Sequence, residues 1–217
     1  SLSKSGELQI QSASAFPIKP LLPLTGQFSS ELNRQLRDMD LSARLDKLAI
    51  QKRPNGISAW AEINQLAWQQ NKNVPGLSDL GMTFAWQKNV GAVTLEGKAV
   101  NVAVGEVFDQ DFVVDNLLLP LQFYQDDDAW HLSAKDFDIE LPETSMGGSF
   151  QYNFSNQVLN SVNTVKALDV SQIQRFLPNE PLLGKEVKSF LSRAFYAEGQ
   201  VEEARILWSG RFADYPF

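Results

Sequence analysis

The chain has 217 residues, of which 43% are hydrophobic and 21% are charged, a composition typical of a folded globular chain and not of a disordered one. Its net charge is -7 and no segment carries a basic stripe, so the composition argues against a nucleic-acid binder. The absence of cysteine excludes disulfides, thiol nucleophiles and cysteine-bound zinc.

The sequence begins without methionine, carries no signal peptide and has no apolar run near the roughly 20 residues that a membrane-spanning helix needs. We therefore expect an internal fragment of a longer protein, with any membrane segment encoded elsewhere.

Alternation of apolar and polar residues predicts β-strands along most of the chain, because successive side chains of a strand point to opposite faces. The predicted apolar faces are, in chain order, Leu41, Ala43 and Leu45; Ile57, Ala59, Ala61 and Ile63; Leu80, Met82, Phe84 and Trp86; Val100, Val102 and Val104; Leu117, Leu119, Leu121 and Phe123; Trp130 and Leu132; Phe137, Ile139 and Leu141; and Phe150, Tyr152 and Phe154.

Turn-forming residues separate these segments, which recur about every 10–15 residues, as in an antiparallel meander. Strong signals are Pro54-Asn55-Gly56 and Pro75-Gly76, and weaker ones are Asn89-Val90-Gly91 and Gly147-Gly148. The acidic run Asp126-Asp127-Asp128 is expected at a hairpin tip.

The helical pattern is confined to the region near the C-terminus. Apolar residues at spacings of three and four predict a helix from Leu182 to Tyr196, with Gly199 as its stop. A short helix from Val170 to Phe176 is predicted just before it, preceded by Asp169. We therefore predict a mainly β fold: one long, curved antiparallel sheet that forms one continuous domain over residues 1–217, with a helical insertion at about 170–197.

Catalytic and metal-binding patterns are absent from the sequence, and no catalytic or metal residue is predicted. The single histidine, His131, is expected to point to solvent, opposite Trp130 and Leu132, and no Gly-x-Ser-x-Gly elbow or phosphate loop accompanies it. The acidic run from Asp109 to Asp115 lacks the glycine and glutamate of an EF-hand. Glu62 and Asp138 are among acids on polar strand faces, where solubility is the simplest role, although paired carboxylates can meet in space.

The C-terminal stretch resembles the bacterial AsmA-like family, in its YhdP branch of large envelope proteins. The resemblance covers residues 55–217, whereas residues 1–54 match only in strand character, with a family-like strand at Leu24-Thr25-Gly26-Gln27-Phe28. It is carried by Phe190-Leu191-Ser192-Arg193-Ala194, Gly199-Gln200-Val201, Leu207-Trp208-Ser209-Gly210 and Asp214-Tyr215-Pro216-Phe217, and upstream by Val74-Pro75-Gly76-Leu77 and Phe84-Ala85-Trp86.

The resemblance implies a role that alternation alone does not reveal. Proteins of this family are anchored in the inner membrane, extend through the periplasm, and resemble bridge-like lipid transporters whose curved sheet forms an apolar groove for phospholipid. It implies phospholipid acyl chains as the partner and brings no catalytic residues. We expect no cofactor, no nucleic-acid partner and no enzymatic activity.

The residues expected to line such a groove are the apolar faces of four predicted strand segments. We expect Phe84, Val102, Leu132 and Tyr152, near the strand middles, to mark one continuous path. The full candidate set is Leu80, Met82, Phe84, Trp86, Val100, Val102, Val104, Trp130, Leu132, Phe150, Tyr152 and Phe154.

Two alternatives stay open at the level of sequence. The same alternation occurs in a β-sandwich, where the inward residues are dry core, and the helix from Leu182 could either pack on the sheet or plug the groove. A different class of function, an envelope assembly or glycan-binding β-module, is the second hypothesis.

Overall fold

The computed structural model describes residues 8–12, 14–21, 34, 37–54, 56–71, 74–105, 108–126, 129–177, 179, 184–194, 199–211 and 214. The strands are β1 (Leu8–Gln11), β2 (Phe16–Pro17), β3 (Ser42–Arg53), β4 (Gly56–Trp68), β5 (Gly76–Gln87), β6 (Val90–Ala103), β7 (Phe112–Asp126), β8 (Ala129–Leu141), β9 (Thr144–Asn153), β10 (Val158–Asp169) and β11 (Gln200–Gly210). Two 3-10 helices, Lys19–Leu21 and Val170–Phe176, and the α-helix α1 (Lys185–Ala194) accompany them.

All strands join one antiparallel sheet of 11 strands, which confirms the predicted fold class. The order is β1-β3-β4-β5-β6-β7-β8-β9-β10-β11, with β2 paired to β3. From β3 to β10 each strand therefore pairs with the next one along the chain, as in a meander, whereas a long connection that contains the helices separates β10 from β11. The sheet is open, because the path does not close from β11 back to β1.

The alternation predicted from sequence becomes two chemically different faces. Residues directly opposite one another on paired strands share a face. Met82, for example, pairs with Ile63 on one side and Leu95 on the other. We call the side that carries Leu80, Met82, Phe84, Trp86 and their cross-strand partners the inner face, and the opposite side the outer face.

Three neighbouring strands bend along one line. Gln65, Asp79 and Ala99 have φ values of 52°, 59° and 51° and lie at adjoining positions of β4, β5 and β6. At each of them the inner-face residues are three apart instead of two, from Ile63 to Leu66, from Leu77 to Leu80 and from Gly97 to Val100. Bulges of this kind kink a strand and keep the same face inward, so the sheet curves around its inner face. We call this line the bend.

A further bulge explains an apparent break in the sequence pattern. Asp136 has a φ of 56° and lies where the pairing of β8 with β9 shifts between Ala134 and Phe137. The even-numbered face that contains Trp130 and Leu132 therefore continues through odd-numbered residues from Phe137. The two predicted segments form the single strand β8.

The helical insertion follows the predicted pattern. The 3-10 helix Val170–Phe176 is capped by Asp169, whose carboxylate accepts hydrogen bonds from the Ser171 hydroxyl and backbone N–H. These hydrogen bonds lower the pKa of the Asp169 carboxyl, with the hydroxyl the larger cause. The α-helix spans Lys185–Ala194, inside the predicted range, whose limits at Leu182 and Tyr196 lie outside the described residues.

Most predicted turns lie between strands, one is displaced and one is wrong. Lys88 and Asn89 join β5 to β6, one residue before the predicted Asn89-Val90-Gly91, whose last two residues begin β6, and β7 ends at Asp126 before β8 begins at Ala129. Asn55, Asp127, Asp128 and the family-like strand at residues 24–28 lie outside the described residues. Gly147 and Gly148, however, lie inside β9, and the turn is at Pro142 and Glu143.

The physical reason for this error is close backbone packing. A Cβ at Gly148 would collide with the carbonyl oxygen of Val162 and lie 2.9 Å from Cα of Asn163 on β10. The glycine therefore allows a close strand approach and does not mark a chain reversal.

Candidate functional site

The inner face is a nearly continuous apolar surface from β4 to β9. Its register positions from β4 to β9 hold aliphatic, aromatic or glycine residues, except Gln125 at the β7–β8 hairpin and Thr144 at the start of β9. The Thr144 hydroxyl donates to the carbonyl oxygen of Lys166, so its polarity is satisfied within the sheet. The surface therefore offers dispersion contacts and few hydrogen bonds.

The twelve residues predicted to line a groove lie on or beside this face. All but Val104 and Phe154 belong to strands and point inward, and those two follow the ends of β6 and β9. The structure places the set on one face but divides it, because Leu80, Val100 and Val102 lie in or against the core at the bend. Val102 and Tyr152, predicted near strand middles, are instead the next-to-last residues of β6 and β9. Whether the twelve contact a ligand stays a prediction.

Around the bend the inner face is a closed core. Leu80 and Val100 are 0% exposed, and they cluster with Ala43, Leu66 and Val114. Partly buried neighbours from both sides of the bend complete the packing, among them Ile18, Leu41, Trp68, Leu77, Met82, Leu95, Val102 and Leu141. Three residues of the predicted set, Leu80, Val100 and Val104, are therefore buried and inaccessible to a ligand.

On the far side of the bend the inner face is open. Met82, Phe84, Leu132, Phe150 and Tyr152 are each half-buried, and in the described part of the chain no second sheet lies over them. Trp130 and Phe154 are 37% and 50% exposed. We call this region, from the bend to the β5–β6 and β7–β8 hairpins, the open arm.

A tryptophan pair crosses the open arm near its hairpins. The rings of Trp86 on β5 and Trp130 on β8 stack with centroids 5.9 Å apart, although β6 and β7 lie between their strands. Three strand spacings amount to about 14 Å, so both indoles lean towards each other above a concave surface. Gly91 lies beneath Trp86, where a Cβ would come within 2.6 Å of the ring.

The β10–β11 connection covers the opposite margin of the inner face. Phe176 stacks on Phe112 of β7 with centroids 5.5 Å apart and planes 5° apart, and Leu177 is buried. Arg175 pairs with Glu143, and Lys188 of α1 lies 3.2 Å from Asp109 beyond β6. The described part of the connection thus lies near β6 and β7 and packs on the side where the closed core lies.

The outer face is polar and carries most of the charge. Lys47 pairs with Glu62 at 2.8 Å, and this carboxylate raises the pKa of the Lys47 ammonium, chiefly through their hydrogen bond. His131 lies on this face, as its place in the alternation predicts, but it is half-buried because its ring stacks on Tyr124 at 4.8 Å. Its Nδ1 is buried without a hydrogen-bond partner.

The described residues show neither a metal-binding cluster nor a membrane-spanning helix. In the described ranges no three His, Cys, Asp or Glu side chains lie close enough to hold a metal ion. No helix in those ranges is long and apolar enough to cross a membrane.

Sequence reasoning missed the part of the inner face that β10 and β11 contribute. Leu159, Val165, Ile206 and Trp208 point inward there, as their pairing shows. Their alternation is obscured because two inner positions of β10 hold Ser161 and Asn163. The pairing of β10 with Phe150 and Tyr152 of β9, and not a residue pattern, identifies this extension.

Comparison with known proteins places the chain in a family. The family model described as YhdP protein matches residues 2–217. The chain is 22% identical over 222 residues to the intermembrane phospholipid transporter YhdP of Escherichia coli (strain K12), an alignment that covers 99% of the chain and 17% of that relative. The chain thus spans about one sixth of the relative's length. No solved structure matches significantly.

Proposed function

The chain belongs to the YhdP family, and we propose from this premise that it is a non-enzymatic segment that shields phospholipid acyl chains between two membranes. The observation that carries the proposal is the open arm, a concave apolar surface that is half-buried by its own curvature and uncovered in the described residues.

The energetic basis is the cost of hydrating acyl chains. Each methylene exposed to water costs about 0.8 kcal/mol, so a lipid that leaves a bilayer unassisted meets a large barrier. Side chains such as Met82, Phe84 and Leu132 remove that cost along the path, while the headgroup stays in solvent. Successive strands offer similar aliphatic surroundings, so movement from one strand to the next meets low barriers.

The proposed lipid-lining residues are the accessible members of the predicted set: Met82, Phe84, Trp86, Trp130, Leu132, Phe150, Tyr152 and Phe154. Leu80 and Val100 belong to the packed core at the bend, and Val104 is buried beyond the end of β6, so none of the three is proposed to contact lipid. Met82 and Val102 both lie against this core, Met82 on the side of the open arm and Val102 on the other side of the bend, where it would close one side of the path.

A glycan-binding role has less support. Carbohydrate platforms place aromatic rings beside hydrogen-bonding side chains. Here Trp86 and Trp130 stack on each other, and although Gln125 lies opposite Trp130, the other asparagine, glutamine and acidic residues paired between β7 and β8, such as Asn116, Gln122 and Glu140, occupy outer-face positions. An acyl chain suits this distribution better than a sugar does.

The proposal also assigns a location. A chain that passes phospholipid between membranes works in the periplasm, and an inner-membrane anchor would be supplied by other parts of the protein. The roles assigned to the inner face require no metal, cofactor or nucleic acid, because shielding needs only an apolar surface of sufficient width.

Extraction of bound lipid tests the proposal directly. The chain is purified from bacterial cells without detergent and extracted with organic solvent, and the extract is analysed by mass spectrometry. We expect diacyl phospholipids, because the open arm would otherwise expose its apolar residues to water. An extract free of lipid, from chain that melts cooperatively, would contradict the proposal.

The replacement His131→Ala tests the non-enzymatic assignment. The stack on Tyr124 is lost, which costs at most about 1.5 kcal/mol, and lipid recovery should be unchanged because His131 lies on the outer face. Loss of lipid transfer by the intact protein, with folding preserved, would show that the imidazole takes part in the function.

A further inference from the structure

Two polar side chains interrupt the inner face at consecutive inward positions of β10. Ser161 lies opposite Phe150 on β9 and Trp208 on β11, and Asn163 lies opposite Gly148 and Ile206. No other strand from β4 to β9 places two hydrogen-bonding side chains at consecutive inward positions of the described inner face.

The side chains of Ser161 and Asn163 are joined by one hydrogen bond, which leaves other hydrogen-bonding groups of both side chains without a partner among the described residues. The Asn163 side-chain amide donates to the Ser161 hydroxyl oxygen at 3.2 Å. Among the described residues neither side chain makes a further hydrogen bond, which leaves the hydroxyl hydrogen, one amide hydrogen and the amide oxygen for a ligand. Both residues are half-buried between aromatic and aliphatic neighbours.

The absence of a side chain at Gly148 leaves space for the Asn163 side chain. A Cβ at this position would lie 3.0 Å from the Asn163 side-chain oxygen and would collide with the backbone of β10. The glycine therefore lets the asparagine lie against β9 and remain within reach of the inner face. This role accounts for Gly148 better than the turn that the sequence predicted.

The charges near the pair exclude one class of ligand group. Lys166 and Arg205, the basic residues of β10 and β11, occupy outer-face positions, as shown by their pairing with Glu203 and Thr164. No cation of these two strands faces inward, so a phosphate would find no counter-charge. Uncharged carbonyl oxygens, in contrast, match hydroxyl and amide donors.

We infer that Ser161 and Asn163 form a hydrogen-bonding site for the ester carbonyls of a diacyl lipid. The inference rests on the proposed function and names the lipid group that this step of the path recognises. The acyl chains lie on the apolar surface of the neighbouring strands, and the ester groups, which carry acceptors, lie against β10. A lipid therefore pauses at β10, where the otherwise uniform surface offers specific contacts.

Two lipids that differ only in their ester carbonyls distinguish binding at this site from binding through apolar contacts alone. Purified chain is titrated with a short-chain diester phosphatidylethanolamine below its micelle concentration and with the dialkyl ether analogue, which lacks only the carbonyls. We expect the wild type to bind the diester about tenfold more tightly, from one or two neutral hydrogen bonds. The double variant Ser161→Val/Asn163→Val should lose this preference and bind the ether analogue as before.

A double variant on the opposite face of β10 serves as the matched control. Asn160→Val/Thr164→Val changes the same strand on the outer face and should keep the preference. Equal wild-type affinity for the two lipids would overturn the ester site and leave the proposed function standing, whereas failure to bind either lipid would overturn both. If the double variant does not fold, Ser161→Ala serves in its place, and an unchanged preference in that variant would also contradict the site.

Discussion

Replacing Leu80 by aspartate should unfold the chain. Leu80 is 0% exposed and packs with Leu66, Val100 and Val114 at the bend. The substitution removes a buried aliphatic side chain, at about 2–5 kcal/mol, and adds a carboxylate that no cation of the cluster can pair. Domains of ordinary stability have a free energy of unfolding of about 5–15 kcal/mol, so these two costs together remove most of that stability.

Circular dichroism during thermal melting measures this effect. The control is Ala92→Asp on β6, an exposed outer-face position whose cross-strand neighbours, Ala85 and Gln122, carry no charge. The control should melt within a few degrees of the wild type. A cooperative transition of the Leu80 variant at the wild-type temperature would show that the bend is not a dry core.

Alternation predicted the faces correctly because it depends only on the geometry of a strand. Leu80, Met82, Phe84 and Trp86 lie on one side of β5, and the 3-10 helix after Asp169 begins and ends at the predicted residues. Both features are local, since each is fixed by residues within a few positions of one another.

The bend could not be predicted, because two of its three residues are not those that usually adopt positive φ. Positive φ is commonest at glycine and is enriched at asparagine, aspartate and histidine, yet Gln65 and Ala99 adopt it beside Asp79. Their conformation is imposed by pairing with neighbouring strands. The same holds for the division of the inner face into a closed core and an open arm, because alternation reports which way a side chain points and not what lies above it.

The polar pair on β10 illustrates a second limit of sequence reasoning. Ser161 and Asn163 break the apolar alternation, so the sequence of β10 shows only weak alternation although its other inward residues are apolar. Register with Phe150 and Gly148 is what assigns them to the inner face. A residue that departs from a pattern is thus located only once its partners are known.

Replacing Phe84 by aspartate should leave the chain folded and abolish lipid binding. Phe84 is half-buried on the open arm, with Ala61 and Val93 opposite it on the adjoining strands. Because the arm is open, the carboxylate can reach water, and we expect a loss of about 1–2 kcal/mol, or about 2–8 °C in Tm. The Leu80 variant, on the same strand and face, should by contrast be unfolded.

The loss of binding follows from the desolvation of the new charge. An acyl chain laid across the arm would cover the carboxylate, and an unpaired charge in an apolar contact costs several kcal/mol, enough to reduce affinity by at least about a hundredfold. The measurements are thermal melting, lipid recovered by extraction, and rescue of envelope integrity by the intact protein, with Ala92→Asp as the charge-matched control. A folded variant that neither retains lipid nor rescues supports a path over Phe84. An unfolded variant would place Phe84 in the closed core, and a folded variant that still carries lipid and rescues would remove Phe84 from the path.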